Sequence, residues 1–311
     1  MLIIKEDQLE EFCGELQHLL PQSFPILKLA QNHLKKNSFA WPGLEFVVDR
    51  FPNFTACLVR PRPGDPTYVP RRCHYLYSAI ATDVENFKML LDQPDLVNWK
   101  TAVYFQAIPE DLLGAVEEVC SKHGSTIGPK QHLHFSATGW TVKPAEIASM
   151  PQPPIEGFTF RRPDRDDMPV LSKLWRYGGG TDETLQYLYH LHDHHFPMMG
   201  IYKEQQLVGF GIITAEMAMS AGYVQPEIRG RGLAGGIIGY SAKDMQEIGE
   251  TDSFMFISED NVASKKVFTK GAGAVRQEDW RIVDVLYKPH NVDKNDPLMI
   301  WYNNIHGDSQ N

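Results

Sequence analysis

The stretch Arg229-Gly230-Arg231-Gly232-Leu233-Ala234 has the most legible chemistry in this chain. Arginine recognises phosphate through a fork of donors, and glycine lets a backbone approach a ligand closely. A helix start offers N–H groups to an anion. The stretch follows an apolar segment ending Tyr223-Val224-Gln225-Pro226. It opens an amphipathic one, with Leu233, Ile237, Ala242, Met245 and Ile248 at helical spacing. A phosphorylated ligand is therefore expected. Gly230, Gly232 and Gly235 also satisfy the G-x-G-x-x-G dinucleotide pattern. Context argues against that site, because the following acids, Glu250 and Asp252, precede their strand rather than end it. Fewer than 80 residues remain after Gly235, too few for the rest of a doubly wound sheet. No G-x-x-x-x-G-K-[ST] stretch occurs, which excludes a P-loop.

Other reactive residues carry less. His190, His192, His194 and His195 cluster in "HLHDHH", and His190 and His194 stand i,i+4 on an expected helix. No third ligand has metal-site spacing, so a solvated or core cluster is expected and no metal. Arg60–Pro66, "RPRPGDP", reads as a proline-stiffened loop rather than an anion site. Cys13, Cys57, Cys73 and Cys120 are widely spaced, which suits free thiols in a reducing compartment.

The elements that must hold these groups alternate between helix and strand. The N-terminal half predicts a helix over Glu6–Leu20 and strands near Leu44–Val48, Ala56–Val59 and His74–Ile80. A helix near Asp83–Leu91, a strand at Ala102–Ala107, a helix at Glu110–His123 and a strand near His132–Ala137 follow. Pro144, Pro151, Pro153 and Pro154 break the segment Thr138–Gly157 and mark a boundary. Beyond it, a strand near Phe158–Arg161 leads to helices over Asp166–Trp175 and Asp182–His194. Strands then come at Met199–Tyr202, Leu207–Thr214 and Glu216–Val224. After the glycine turn and its helix come strand Phe254–Ile257, helix Val262–Lys270 and strand Ile282–Tyr287. The tail is polar apart from Leu298–Tyr302. The net charge of −9 and pI near 5.7 disfavour a general nucleic-acid binder, and no apolar run approaches a membrane span.

The pattern [RQ]-x-x-G-x-[GA], matched by Arg229, Gly232 and Ala234 between a strand and a helix, resembles motif A of the GNAT acyltransferases. There a run of backbone N–H groups holds the pyrophosphate of coenzyme A. "FTFRRPDRDDMPVLSKLW" (158–175) is similar to the first strand and helix of such a domain, and "EDNVASKKVFTKGAG" (259–273) to its Asn-led helix. Four more segments narrow the resemblance to the glycine N-acyltransferases: "WRYGG" (175–179), "TAEMAM" (214–219), "VVDRFPNF" (47–54) and "LVNWK" (96–100).

The resemblance implies an α/β protein of tandem GNAT-like domains. Each is a mixed, mostly antiparallel sheet flanked by helices, and the N-terminal copy is degenerate. The expected extents are 1–140, 155–290 and a polar tail over 291–311. The implied co-substrate is acyl-CoA, held by Tyr223, Val224, Arg229, Gly230, Arg231, Gly232, Leu233, Ala234, Asn261 and Phe268. The acceptor is a small amine or amino acid. Neither a nucleic acid nor a membrane is expected as partner, and the chain is expected to be monomeric. The family implies mitochondria. "MLIIKEDQLEEF" at residues 1–12 lacks the Arg-rich pattern of a transit peptide, so the cytoplasm is the alternative.

Amide formation needs a neutral amine, hence a base. Glu216, thirteen residues before Arg229, is the candidate. The residues alone leave it equally a solvated strand glutamate, and the resemblance implies the base role. Many GNAT members carry a tyrosine seven residues after the Asn, as acid toward the thiolate. Phe268 stands there, so no general acid is assigned. Backbone N–H groups near Ala221 and Gly222 are the implied oxyanion donors. Trp175 and Tyr177 either line the acceptor site or pack. An acyl-CoA-binding pseudoenzyme and a peptide or protein N-acetyltransferase are the competing functions.

Overall fold

Leu44–Val48, Ala56–Pro61 and Leu76–Ala81 are mostly apolar and buried at nearly every position, as strands covered on both faces must be. The computed structural model describes residues 1–71, 76–125, 133–150 and 155–306. It divides into two units, Met1–Ala137 with Asp279–Asn311, and Thr138–Glu278.

The first unit begins with β1 (Leu2–Ile3), α1 (Leu9–Gln17), α2 (Phe24–Lys35), β2 (Leu44–Val48), β3 (Ala56–Pro61) and β4 (Leu76–Ala81). It continues through α3 (Val84–Leu91), β5 (Val103–Pro109), α4 (Leu113–Lys122) and the start of β6 (Leu133–Val142). Strands β1 to β5 are neighbours in sequence order, antiparallel except for β4 and β5. Alternate residues face two cores. Tyr77, Phe105 and Val285 meet Phe87 and Leu91 of α3 and Val116 and Cys120 of α4. Leu76, Tyr104 and Leu286 turn to the other face. Each such side chain contributes about 1.5–3 kcal/mol on burial.

The second unit takes up β6 at Thr138 and continues with α5 (Pro144–Ala148), β7 (Thr159–Arg161), α6 (Met168–Leu174), α7 (Asp182–Asp193), β8 (Met198–Lys203) and β9 (Gln206–Ile213). Next come β10 (Met219–Val224), α8 (Leu233–Glu247), β11 (Ser253–Ile257), α9 (Val262–Ala272) and the start of β12 (Val275–Tyr287). Helix α10 (Pro297–His306) belongs to the first unit. Strands β7 to β10 form an antiparallel sheet in the order β10-β9-β8-β7. Strand β11 pairs antiparallel with Thr138–Val142 of β6.

Four expectations change. Helix α2 is absent from the sequence reading because Pro21 and Pro25 resemble a loop; Pro25 occupies the first helical turn, where a missing N–H costs nothing. Pro144 likewise starts α5 instead of breaking the chain. Strand β6 runs on to Val142, with Thr138 opposite Ile257 and Val142 opposite Ser253, so the expected linker begins as a strand. Pro151, Pro153 and Pro154 lie outside the described residues. Finally, the extents 1–140, 155–290 and 291–311 differ from the observed units, because β12 pairs with β5 from Ile282 to Tyr287. Leu298, Met299 and Trp301 of α10 are buried against that unit's core, so 291–311 is more than a polar tail. Among the described residues no helix is long and apolar enough to cross a membrane.

Candidate active site

The glycine turn is positioned by how closely α8 lies on its sheet. A Cβ at Gly236 would stand 2.5 Å from Phe160 Cζ, so only glycine permits that approach. Leu233 and Ile237 join Met199, Ile201, Val208 and Ile228 in one cluster beneath the helix. These contacts fix the N-terminus of α8 at the end of β10.

The path between them is well ordered by hydrogen bonds. Gln225 N donates to Val208 O at 2.9 Å, and a 3-10 turn covers Pro226–Ile228. Arg229 Nε donates to Val224 O at 2.9 Å, so this arginine braces the turn it belongs to. Arg231 is exposed. Gly230 and Gly232 adopt φ of 79° and 82°, the left-handed region that disfavours side chains. Gly232 is the helix cap and no side chain caps it. Gly235 N turns back to Gly232 O at 3.0 Å, and the N–H groups before it precede the helix's own acceptors and carry its positive dipole end. With no acid in the first turn, this is a cradle suited to an anion.

Strand β10 contains a bulge between Ser220 and Tyr223, where Ala221 takes φ 50°. The bulge falls where oxyanion donors were expected. Tyr223 pairs with Phe210, and their rings stack at 5.8 Å. Strands β10 and β11 run parallel. Among the described residues they are bridged by Ala218, just before β10, and Phe254, and form no ladder beyond it. Helix α8 follows the C-terminal end of β10 and α9 that of β11, so both helices start at the same end of the pair.

Asn261 caps α9, its side chain accepting from Ser264 N at 3.0 Å. Phe268 is half-buried on the same helix and offers no hydroxyl. The loop before Asn261 is anchored by Glu259, which accepts from Thr138 Oγ1 at 2.6 Å and Arg276 Nη2 at 2.8 Å and pairs with Lys265. Hydrogen bonds from Lys265 and Thr138 hold its carboxyl well down, to about 2.

Glu216 is placed differently from the sequence reading. The alternation in "TAEMAM" suggests strand, but Thr214–Ala218 is a turn joining β9 to β10, and Glu216 lies in it, 7% exposed. The physical reason is local closure. Thr214 N donates to Ala218 O at 3.1 Å and Met217 N to Thr214 O at 2.9 Å, with Met217 at φ 58°. Glu216 thus stands two residues before the bridge at which the parallel strands part.

Trp175 is 5% exposed and packs on Tyr187 at 6.1 Å, whereas Tyr177 is 50% exposed. His190 and His194 stack at 4.1 Å, and burial followed by the His194 charge pulls His190 down to about 4. Among the described residues no group of three or more potential ligands could hold a metal. Arg60 is a buried strut, donating to Glu45 at 3.0 Å and to Leu96 O at 2.8 Å. Cys13, Cys57 and Cys120 are free and buried, and Cys73 lies outside the described residues.

A parallel pair joined by a bridge, with a glycine turn opening a helix beside it, is the arrangement of a GNAT-fold protein. Residues 166–274 match the model of the acetyltransferase (GNAT) family. Residues 1–197 match that of the aralkyl acyl-CoA:amino acid N-acyltransferases, and the chain belongs to this family. Bovine glycine N-acyltransferase is 22% identical over 234 residues, covering 70% of this chain and 76% of that protein. Its human counterpart is 24% identical over 175 residues, 53% and 58% of the two chains. The match to the rat glycine N-acyltransferase-like protein Keg1, 23% identical over 57% of this chain, spans 63% of that protein. An X-ray structure of a Drosophila protein shares the fold, with a TM-score of 0.74 at 14% identity, over 93% of this chain and 99% of that one.

Proposed function

We propose that this chain moves an acyl group from acyl-CoA to the amine of glycine or another small amino acid by direct transfer. Glu216 is the general base. The observation that carries this reading is a buried glutamate two residues before the bridge between the parallel strands, with an anion cradle where β10 leads into α8. On this reading the thioester lies in an opening between β10 and β11. Val224 lies six positions on from Ala218, at most roughly 20 Å of chain. That span suits a pantetheine arm laid along β10.

In the proposed reaction the N–H groups from Gly230 to Ala234 hold the pyrophosphate, and Tyr223 and Val224 border the arm. Asn261 and Phe268 face the arm from α9. Glu216 takes a proton from the acceptor ammonium, and the neutral amine attacks the thioester carbonyl. The oxyanion is held by backbone N–H groups at the bulge near Ala221 and Gly222. Collapse breaks the C–S bond and the thiolate leaves, while the nitrogen gives its second proton to solvent and Glu216 returns the first to solvent afterwards. A thiol with a pKa of about 8.5 departs without an acid, so Phe268 is compatible with turnover. Trp175 supports the site from within the core, and Tyr177 is the exposed aromatic available to the acceptor. A mitochondrial location belongs to the same reading, and cell fractionation checks it.

The test is release of free thiol from an aralkyl acyl-CoA, with and without amino acids. Release that depends on the amino acid is expected. Tight binding of acyl-CoA without release under any acceptor would make the chain a binding protein instead.

A further inference from the structure

The turn carrying Glu216 is held from two other elements. Ala215 N donates to the hydroxyl of Tyr187, on α7, at 3.1 Å. Ser253, the first residue of β11, donates from Oγ to Met217 O at 3.0 Å. These two bonds fall on the residues either side of Glu216. Tyr187 is 2% exposed and Ser253 fully buried, so neither bond competes with bulk water. Met217 itself holds a left-handed φ of 58° without being glycine. Such a conformation persists when surrounding contacts over-determine it, and it concentrates at functional sites.

We propose that Tyr187 and Ser253 are positioning residues that fix the Glu216 carboxylate at the opening between β10 and β11. The proposal rests on the reading of Glu216 as base. A base must be held to a fraction of an ångström of its productive geometry, and its supporting shell does this. The turn's own hydrogen bonds close the loop but do not orient it against the sheet. Tyr187 and Ser253 supply that reference, one through α7 and one through the strand that forms the other wall. Trp175 extends the chain of contacts by packing on the Tyr187 ring.

The test uses the full chain with phenylacetyl-CoA and glycine. Tyr187→Phe keeps the ring packing and removes one hydroxyl; Ser253→Ala removes the other bond. Each is expected to lower kcat about tenfold, leaving the KM for acyl-CoA within twofold. The deciding readout is a cycle with Glu216→Gln. If Tyr187 acts through Glu216, Tyr187→Phe costs nothing further once the base is gone. An equal loss with and without Glu216, or full activity in both single variants, overturns the proposal while leaving the base intact. A wild-type rate in Glu216→Gln alone would remove the base itself, and the positioning role with it. Should Tyr187→Phe fold poorly by its melting curve, Ser253→Ala with the same cycle decides.

Discussion

Helices α3 and α8 begin in the same kind of place and differ in what sits at the first turn. Each follows a strand that has a parallel neighbour, β4 beside β5 and β10 beside β11. At α3 the cap is Asp83, whose side chain accepts from Asn86 N at 2.9 Å, and Glu85 adds a second negative charge. At α8 the cap is Gly232, no side chain intervenes, and two arginines precede it. The helix dipole is common to both. The difference teaches that the backbone supplies the anion site and the cap decides whether it is open. In α3 one of the orphan donors, Asn86 N, is already taken by Asp83, and an anion would meet two carboxylates.

The largest effect should come from giving α8 the cap of α3. Gly232→Asp puts a carboxylate where the pyrophosphate is proposed to lie, and a Cβ there meets only Ile155 Cδ1, at 3.9 Å. Aspartate tolerates the left-handed region better than most residues. Acyl-CoA affinity by calorimetry is expected to fall at least a hundredfold while the fold persists. Affinity within threefold of wild type would break the comparison. The converse change, Asp83→Ala, removes the α3 cap and is expected to cost about 1 kcal/mol, a melting shift of roughly 2–4 °C. Acyl-CoA affinity should stay within twofold, and a larger change would mean that the first unit takes part in binding.

A smaller effect sharpens the account at α9. Glu259 is held down to about 2, below its unfolded value near ~4.3. Its contribution is therefore full above the unfolded value and is lost as the pH falls toward the folded one. The side chain is 43% exposed, so solvent screening keeps the effect small. Melting curves of wild type and Glu259→Gln should differ at pH 6 and draw together as the pH falls to about 2. Equal melting at both values would show that the carboxylate does not anchor the α9 loop.

Legibility in the sequence followed the physics of each element. The glycine turn could be read because strand, proline, paired glycines and an amphipathic run are all local signals. Asn261 as a helix cap was readable for the same reason. The turn around Glu216 was not, since Thr-Ala-Glu-Met-Ala-Met alternates like a strand and only hydrogen bonds from α7 and β11 reveal its shape. Tyr187 belongs to the buried stripe with Leu188 and Leu191, and the use of its hydroxyl depends on a residue 28 positions away, which no local pattern encodes. The continuation of β6 past Thr138 was hidden by the prolines beyond it. The assignment of Asp279–Asn311 to the first unit rests on non-local pairing with β5, which no periodicity encodes.

The central claim is that Glu216 is the base for the acceptor amine, and the most direct measurement is the pH–rate profile of Glu216→Gln against wild type from pH 6 to about 9.5, with melting curves and acyl-CoA affinities alongside. The substitution keeps the shape and removes the basicity. The rate at neutral pH should fall by about 10² to 10⁴, with acyl-CoA affinity nearly unchanged. The loss should shrink as the pH rises and the free amine deprotonates by itself. A constant ratio of rates across the range, or a loss matched by lower stability, would contradict the assignment.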